Sequence, residues 1–98
     1  MTHTDEFVLT MMYVAVEKGK ELGTVHSYFS KRNDLGDLIR AMIMLERLGY
    51  VTVPSESWSY GDSYNPVPVE IVMTGVKLTN HGRQKARQLI PIVRERLK

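Results

Sequence analysis

The apolar residues of this chain change their spacing at Gly49, from a helical period before it to a strand period after it. The helical stretch has apolar residues every three or four positions, which predicts a helix that Gly49 ends. Its apolar stripe consists of Leu38, Ala41, Met42, Leu45 and Leu48. The run 50–53 then predicts a strand, and the alternation of Val67, Val69, Ile71 and Met73 predicts its partner strand. The polar, aromatic segment 54–66 is expected to be the loop of this long hairpin.

Two shorter apolar patterns predict helices ahead of this one. Helix 1 is expected to begin with Thr4 as its N-cap, and its apolar residues cover more than one stripe, so that it should pack against two partners. These residues are Phe7, Val8, Met11, Met12, Val14 and Ala15. Helix 2 is predicted from Val25 to about Lys31, with Thr24 as its cap. A polar turn, 31–34, then leads into helix 3, which Asn33 or Asp34 is expected to cap.

A C-terminal helix is predicted over residues 79–97, with Thr79 as its N-cap. Pro91 lies inside it and lacks a backbone donor, so a kink or a break near Leu89 is expected. The order of elements predicts an α+β fold in one domain, residues 1–98, with three helices, a two-stranded hairpin and a C-terminal helix. One core is expected to contain Val25, Phe29, Leu38, Met42, Leu45, Val51 and Ile71.

Composition narrows the possible functions of the 98 residues, of which 43% are apolar. The chain has no cysteine, its three histidines share no metal-ligand spacing, and no apolar run approaches the roughly 20 residues of a membrane span. A cytoplasmic protein without membrane contact is therefore expected. No catalytic triad, carboxylate pair or phosphate loop is recognisable, so neither an enzyme nor a cofactor or metal site is predicted.

The mild net charge of +2 is unevenly distributed. Residues 51–76 contain three acids and no Lys or Arg, whereas residues 77–98 carry a net charge of +6. A basic C-terminal segment is suited to nucleic acid, although a solvated helix face explains it equally well.

Two segments resemble the winged helix-turn-helix family. Residues 45–51, Leu-Glu-Arg-Leu-Gly-Tyr-Val, are similar to the step from the recognition helix into the wing, and residues 78–83, Leu-Thr-Asn-His-Gly-Arg, resemble the segment that opens the last helix of MarR-like and PadR-like regulators. Small winged-helix proteins of phages and low-GC bacteria are also similar. The resemblance spans roughly residues 5–90. It implies a regulator of transcription that places helix 3 in the major groove of double-stranded DNA and the hairpin, as the wing, beside it.

The same resemblance implies the DNA-contacting residues, which lie in the turn, on helix 3 and in the hairpin. They are Lys31, Arg32, Asn33, Asp37, Arg40, Trp58 and Tyr60. Two features depart from the family pattern: Asp34 and Asp37 stand where the family reads bases, and the hairpin lacks cations. The alternative is a winged-helix module for protein–protein interaction, for example a phage or host regulatory adaptor, that does not bind DNA. The hairpin aromatics are also compatible with simply folding back over the sheet.

The two-faced helix 1 and the long C-terminal helix predict a homodimer. Ala86, Ile90, Val93 and Leu97 are spaced by four, three and four residues, like a packing seam between helices. Together with Phe7 and Met11 they form the predicted dimer interface. The competing expectation is that the C-terminal helix folds back on helix 1 within one chain and covers both stripes.

Overall fold

The computed structural model describes residues 1–62, 64 and 66–98, and over these residues the fold has four helices and four short strands. The order is α1 (His3–Glu17), α2 (Gly23–Ser30), α3 (Leu35–Arg47), β1 (Val51–Thr52), a 3-10 turn (Ser55–Ser57), β2 (Trp58–Tyr60), β3 (Pro68–Ile71), β4 (Lys77–Leu78) and α4 (Asn80–Arg96). The predicted α+β class and the predicted number of helices are confirmed. None of the described helices is long and apolar enough to cross a membrane.

The start of α1 lies two residues before the predicted one. The Thr2 hydroxyl accepts a hydrogen bond from the Asp5 amide at 3.0 Å, and the Asp5 carboxylate accepts one from the Thr2 amide at 2.9 Å. This reciprocal pair is a capping box, which Thr4 has no acidic partner to form. The prediction for Thr24 is also wrong, because its hydroxyl donates to the Glu21 carbonyl and α2 begins at Gly23.

Helix α3 ends as its sequence predicts. Gly49 has a φ of 79°, in the left-handed region that glycine adopts without strain. The amides of Gly49 and Tyr50 each donate at 3.0 Å to the carbonyls of Glu46 and Leu45, respectively. These two bonds form a Schellman motif, so the Gly49 stop signal is confirmed.

The pairing of the strands differs from the prediction. Strand β1 pairs with β4, through Val51 opposite Leu78, while β2 pairs with β3, through Trp58 opposite Ile71. The two expected hairpin strands are therefore not partners, because the 3-10 turn redirects the chain after Pro54 and a new strand begins at Trp58. Each sheet is antiparallel and two-stranded.

One hydrophobic core joins α1, α2, α3, α4 and the strands, and the seven residues predicted for it all belong to it. Leu38, Met42 and Leu45 are fully buried. Leu9 and Ile39 are also buried, although the predicted stripes omit them. Leu9 is covered because α1 packs against α2, α3 and α4, and Ile39 is covered because α3 packs against α1, α2 and two strands, so each helix buries a wider face than a single stripe.

Helix α4 lies antiparallel to α1 within the same chain. Arg96 forms a 2.8 Å ion pair with Glu6, and the Arg87 Nε donates to the Tyr13 hydroxyl at 2.9 Å. Of the predicted kink or break near Leu89, the break is wrong, because α4 continues through Pro91 from Asn80 to Arg96, and the kink stays a prediction. Leu89 and Val93 are buried on either side of Pro91 and hold the helix in place.

Candidate nucleic-acid interface

The turn between α2 and α3 is closed by the backbone. Asn33 adopts a left-handed φ of 57°, which Asn tolerates better than most residues. The Asp34 amide donates to the Phe29 carbonyl at 2.9 Å, and the Asn33 amide donates to the Ser30 carbonyl at 3.2 Å. The predicted side-chain cap is absent, since neither the Asn33 nor the Asp34 side chain accepts from the first turn of α3. Asn33 therefore sets the direction of α3.

The outer face of α3 carries an exposed ion pair. The Arg40 guanidinium binds the Asp37 carboxylate one turn earlier, with 73% of the Arg40 side chain and 47% of the Asp37 side chain exposed. A methyl group on Gly36 would lie 3.6 Å from the Arg40 Nη1, so Arg40 reaches back over the first turn of α3. The structure thus brings two predicted contact residues, Asp37 and Arg40, together at the start of α3.

Of the two cationic side chains in the turn, Arg32 is held by contacts with α2 and Lys31 is not. The Arg32 Nη1 donates to the Tyr28 carbonyl at 2.9 Å, and the Arg32 guanidinium lies 3.7 Å from the centroid of the Tyr28 ring. This combination of a hydrogen bond and a cation–π contact holds Arg32 against α2. Lys31 is exposed, and within the described part of the chain it has no ion-pair partner.

One of the hairpin aromatics packs against the core, and the others are exposed. Trp58 is half-buried and packs against the core, whereas 55% of Tyr60 and 95% of Tyr64 are exposed. The predicted alternation groups Val67 and Val69 with Ile71, but only Ile71 is buried, whereas Val67 and Val69 are 54% and 51% exposed. Tyr60 is therefore the better placed of the two predicted hairpin contacts.

A hydrogen bond that the sequence does not suggest, between His26 and Glu70, attaches the hairpin to α2. The His26 Nε2 lies 2.7 Å from the Glu70 Oε1, which also accepts a hydrogen bond from the Ile71 amide at 2.9 Å. Burial raises the pKa of the Glu70 carboxyl, but the hydrogen bonds from His26 and Ile71 and the charge of His26 outweigh it, so this pKa lies below its ordinary value. The partners are 44 residues apart, so no local pattern signals the contact.

The two segments that carry the family resemblance meet in space. The Thr79 hydroxyl accepts from the Gly82 amide at 2.9 Å and donates to the Gly49 carbonyl at 2.7 Å, and the Thr79 amide donates to the Tyr50 carbonyl at 3.1 Å. Thr79 is therefore the N-cap of α4, as predicted. A Cβ on Gly82 would lie only 2.0 Å from the Tyr50 carbonyl oxygen, so only glycine fits this close approach.

The residues predicted for a dimer interface differ in how exposed they are. Ala86 and Val93 are buried within the single chain, at 0% and 4% exposure, because α4 packs on α1. Phe7, Met11 and Ile90 are half-buried, and Leu97 is 68% exposed. The homodimer stays a prediction, and the fold leaves these last four residues as the part of the seam open to a partner.

Among the described residues, no three His, Cys, Asp or Glu side chains are grouped so as to hold a metal ion. Comparisons of the chain with protein-family models, with curated proteins and with solved structures find no match.

Proposed function

We propose that this chain is a winged helix-turn-helix protein that binds double-stranded DNA and regulates transcription. In this proposal α3 enters the major groove, Arg40 contacts base edges, Lys31 contacts phosphate, and the β2–β3 hairpin is the wing. The observation that supports this proposal most is the position of Arg40, which reaches over Gly36 at the start of α3. A recognition helix directs this end at the bases.

The junction of Thr79, Gly82 and Tyr50 supports the family resemblance on physical grounds. The Thr-x-x-Gly spacing puts an N-cap hydroxyl and a residue without a side chain on the same side of the first turn of α4. This arrangement lets α4 start directly against the end of α3. The resembling residues thus have a structural role that fits the order of elements in a winged helix.

The ion pair of Arg40 with Asp37 does not prevent DNA binding. An exposed pair of this kind contributes about 0.2–1 kcal/mol, whereas a bidentate contact of arginine with guanine contributes about 1–3 kcal/mol. It is therefore favourable for the Arg40 guanidinium to leave the Asp37 carboxylate and bind a guanine base instead. The freed Asp37 carboxylate repels nearby phosphates, but its oxygens can accept a hydrogen bond from a cytosine amino group.

A salt titration with random-sequence duplex DNA tests the proposal. The logarithm of the binding constant is expected to fall with the logarithm of salt concentration, by a slope of about 0.9 for each phosphate contacted. The triple variant Lys31→Ala, Arg32→Ala and Arg40→Ala should bind more weakly and with a shallower slope. A second triple variant with the same change in net charge, Lys18→Ala, Lys20→Ala and Lys98→Ala, should bind like the wild type. Equal binding by the two triple variants, or no binding by the wild type at low salt, would refute the proposal.

The hairpin favours a second candidate function, the protein–protein interaction module. Its segment 51–76 has no Lys or Arg to contact phosphate. Tyr60, Val69 and Val72 are at least half exposed and offer apolar area to a protein surface. If the wild type does not bind duplex DNA at low salt, this function becomes the better explanation of the fold.

A further inference from the structure

The β2–β3 hairpin carries most of the large apolar side chains that this fold leaves exposed. Among the described residues, nine such side chains are exposed, and five of them lie within residues 60–72. These five are Tyr60, Tyr64, Val67, Val69 and Val72, and half or more of each is exposed. Apolar residues that are concentrated in this way on a surface mark an interaction site.

The hydrogen-bond ladder of the hairpin determines which backbone groups face outward. The Val72 amide donates to the Ser57 carbonyl at 2.9 Å, so the next pair, Trp58 opposite Ile71, is a pair without mutual hydrogen bonds. The backbone groups of Trp58 and Ile71 therefore point away from the ladder, towards the outer edges of β2 and β3. Each strand has one outer edge, because the sheet contains only these two strands.

The outer edge of β3 is already closed by side chains of the same chain. The Ile71 amide donates to the Glu70 carboxylate at 2.9 Å, and the His26 Nε2 lies 2.7 Å from the same carboxylate oxygen. Pro68, the first residue of β3, has no backbone N–H for a partner. The outer edge of β2 is therefore the one that a further strand can join.

Acidic side chains flank the outer edge of β2. Glu56 lies two residues before this strand and Asp62 lies two residues after it, and both are exposed. Within the strand, Ser59 and Tyr60 are also exposed. Residues 51–76 contain no Lys or Arg that would neutralise these carboxylates. The edge therefore offers a partner backbone hydrogen bonds, an aromatic ring and two negative charges.

We propose that the outer edge of β2 binds an extended, cationic segment of a partner protein as a third, antiparallel strand. The backbone of that segment bonds to the edge, an apolar side chain packs on Tyr60, and Lys or Arg side chains lie beside Glu56 and Asp62. The proposal rests on the second candidate function, protein–protein interaction, and not on DNA binding.

Charge complementarity selects this partner over a second copy of the chain. Antiparallel pairing of two β2 strands around Ser59 would set Glu56 of each copy opposite Asp62 of the other copy. Like charges that lie directly opposite each other destabilise a strand pair, and this pairing would create two such contacts. A segment with Lys at both ends replaces both repulsions with attractions.

Fluorescence of Trp58, the single tryptophan of the chain, measures binding because Trp58 lies in β2. The probe is the end-capped peptide Lys-Thr-Val-Thr-Val-Thr-Lys, whose two Lys side chains are spaced like the two carboxylates. A saturable change in fluorescence is expected. The same peptide with Glu in place of both Lys should bind at least about fivefold more weakly, because its charges repel those of the edge. A third peptide, N-methylated at its two Val residues, keeps the side chains but loses the amides that face β2, and should also bind more weakly.

A pair of charge-matched variants locates the site. Glu56→Gln and Asp62→Asn together should lower the affinity for the Lys peptide about fivefold, because both cross-strand charge pairs are lost. Glu21→Gln and Glu46→Gln together remove the same charge from exposed positions outside the hairpin and should leave the affinity unchanged.

Any of five results would overturn the proposal. They are no saturable change with the Lys peptide, equal binding of the Lys and Glu peptides, undiminished binding of the N-methylated peptide, equal affinity of the two variants, and a mass of two chains by light scattering with no uptake of the Lys peptide. The last of these would assign the edge to a second copy of the chain. The test contains no DNA, so its outcome and that of the salt titration are independent.

Discussion

Replacing Gly82 with alanine should destabilise the fold, although Gly82 lies in a helix, where alanine is normally the better residue. The added Cβ would lie 2.0 Å from the carbonyl oxygen of Tyr50 and 2.8 Å from its carbonyl carbon. Carbon and oxygen normally touch at about 3.3–3.6 Å, so the two backbone segments must separate by more than about 1 Å. Both are backbone, and no flexible side chain is available to move away.

The expected magnitude follows from three contributions. Forced overpacking costs about 1–3 kcal/mol. Separation also stretches the bond from the Thr79 amide to the Tyr50 carbonyl, whose loss costs about 0.5–1.5 kcal/mol. The preference of a helix for alanine over glycine returns about 1 kcal/mol. The net loss is about 2 kcal/mol, or about 8–16 °C in the melting temperature of a domain of this size.

Urea denaturation, followed by circular dichroism, measures this loss. The control is Gly23→Ala, where an added Cβ has no atom within 4 Å and the glycine has no positive φ. That variant should be at least as stable as the wild type. If Gly82→Ala proves equally stable, the close approach of α4 to Tyr50 does not exist in solution and the argument from the Thr-x-x-Gly spacing fails.

Two further substitutions test local interactions. Thr79→Ala removes the N-cap of α4 and the bond to the Gly49 carbonyl, and should lower the free energy of unfolding, measured by urea denaturation, by about 2 kcal/mol. Thr4→Ala removes no cap and should leave that free energy unchanged. Comparable losses in the two variants would contradict the observed helix starts. Glu70→Gln should lower the urea midpoint at pH 7, and this effect should shrink as the pH falls through the lowered pKa of Glu70. Because folding lowers the pKa of Glu70, its carboxylate stabilises the fold above its ordinary pKa, and this contribution is lost as the pH falls through the lowered value. A difference between wild type and Glu70→Gln that stays the same at every pH down to the acid unfolding of the protein would show that the Glu70 carboxylate is not its source.

The sequence predicts the helices and the core well because their signals are local. The stripe from Leu38 to Leu45 repeats with the helical period, and Gly49 supplies a stop that depends only on its own backbone. Burial of that stripe then fixes which face of α3 meets the core. Ile39 and Leu9 were omitted because the width of a buried face depends on how many neighbours cover it, which a periodicity does not contain.

The strand pairing and the hairpin contacts were less predictable because they depend on distant partners. Strands β1 and β4 have two residues each, too few to carry an alternation pattern. The hydrogen bond between His26 and Glu70 joins residues that no local rule connects. Pro91 shows the converse: the local rule predicts a kink or a break, but the helix is continuous there, with Leu89 and Val93 buried in the core on either side. Local sequence signals therefore predict helices and strands, whereas the assembled core determines which of these elements contact each other.

Residues that position α3 differ from residues on its exposed face, and only substitutions of the exposed residues test DNA binding without changing the fold. The orientation of α3 depends on its buried stripe, on the backbone-closed turn at Asn33 and on the junction of Thr79 with Gly49. The side chains of Lys31 and Arg40 contribute to none of these, since both are exposed and, among the described residues, Arg40 pairs only with Asp37 one turn away. Their removal should therefore leave the fold intact, because exposed substitutions away from caps and cores usually change stability by less than about 0.5 kcal/mol. Arg32 differs, since it packs on Tyr28, so the effect of Arg40→Ala alone is the cleaner measure of base contact. Loss of DNA binding in that single variant, with an unchanged urea midpoint, would assign the loss to the interface and not to the stability of the fold.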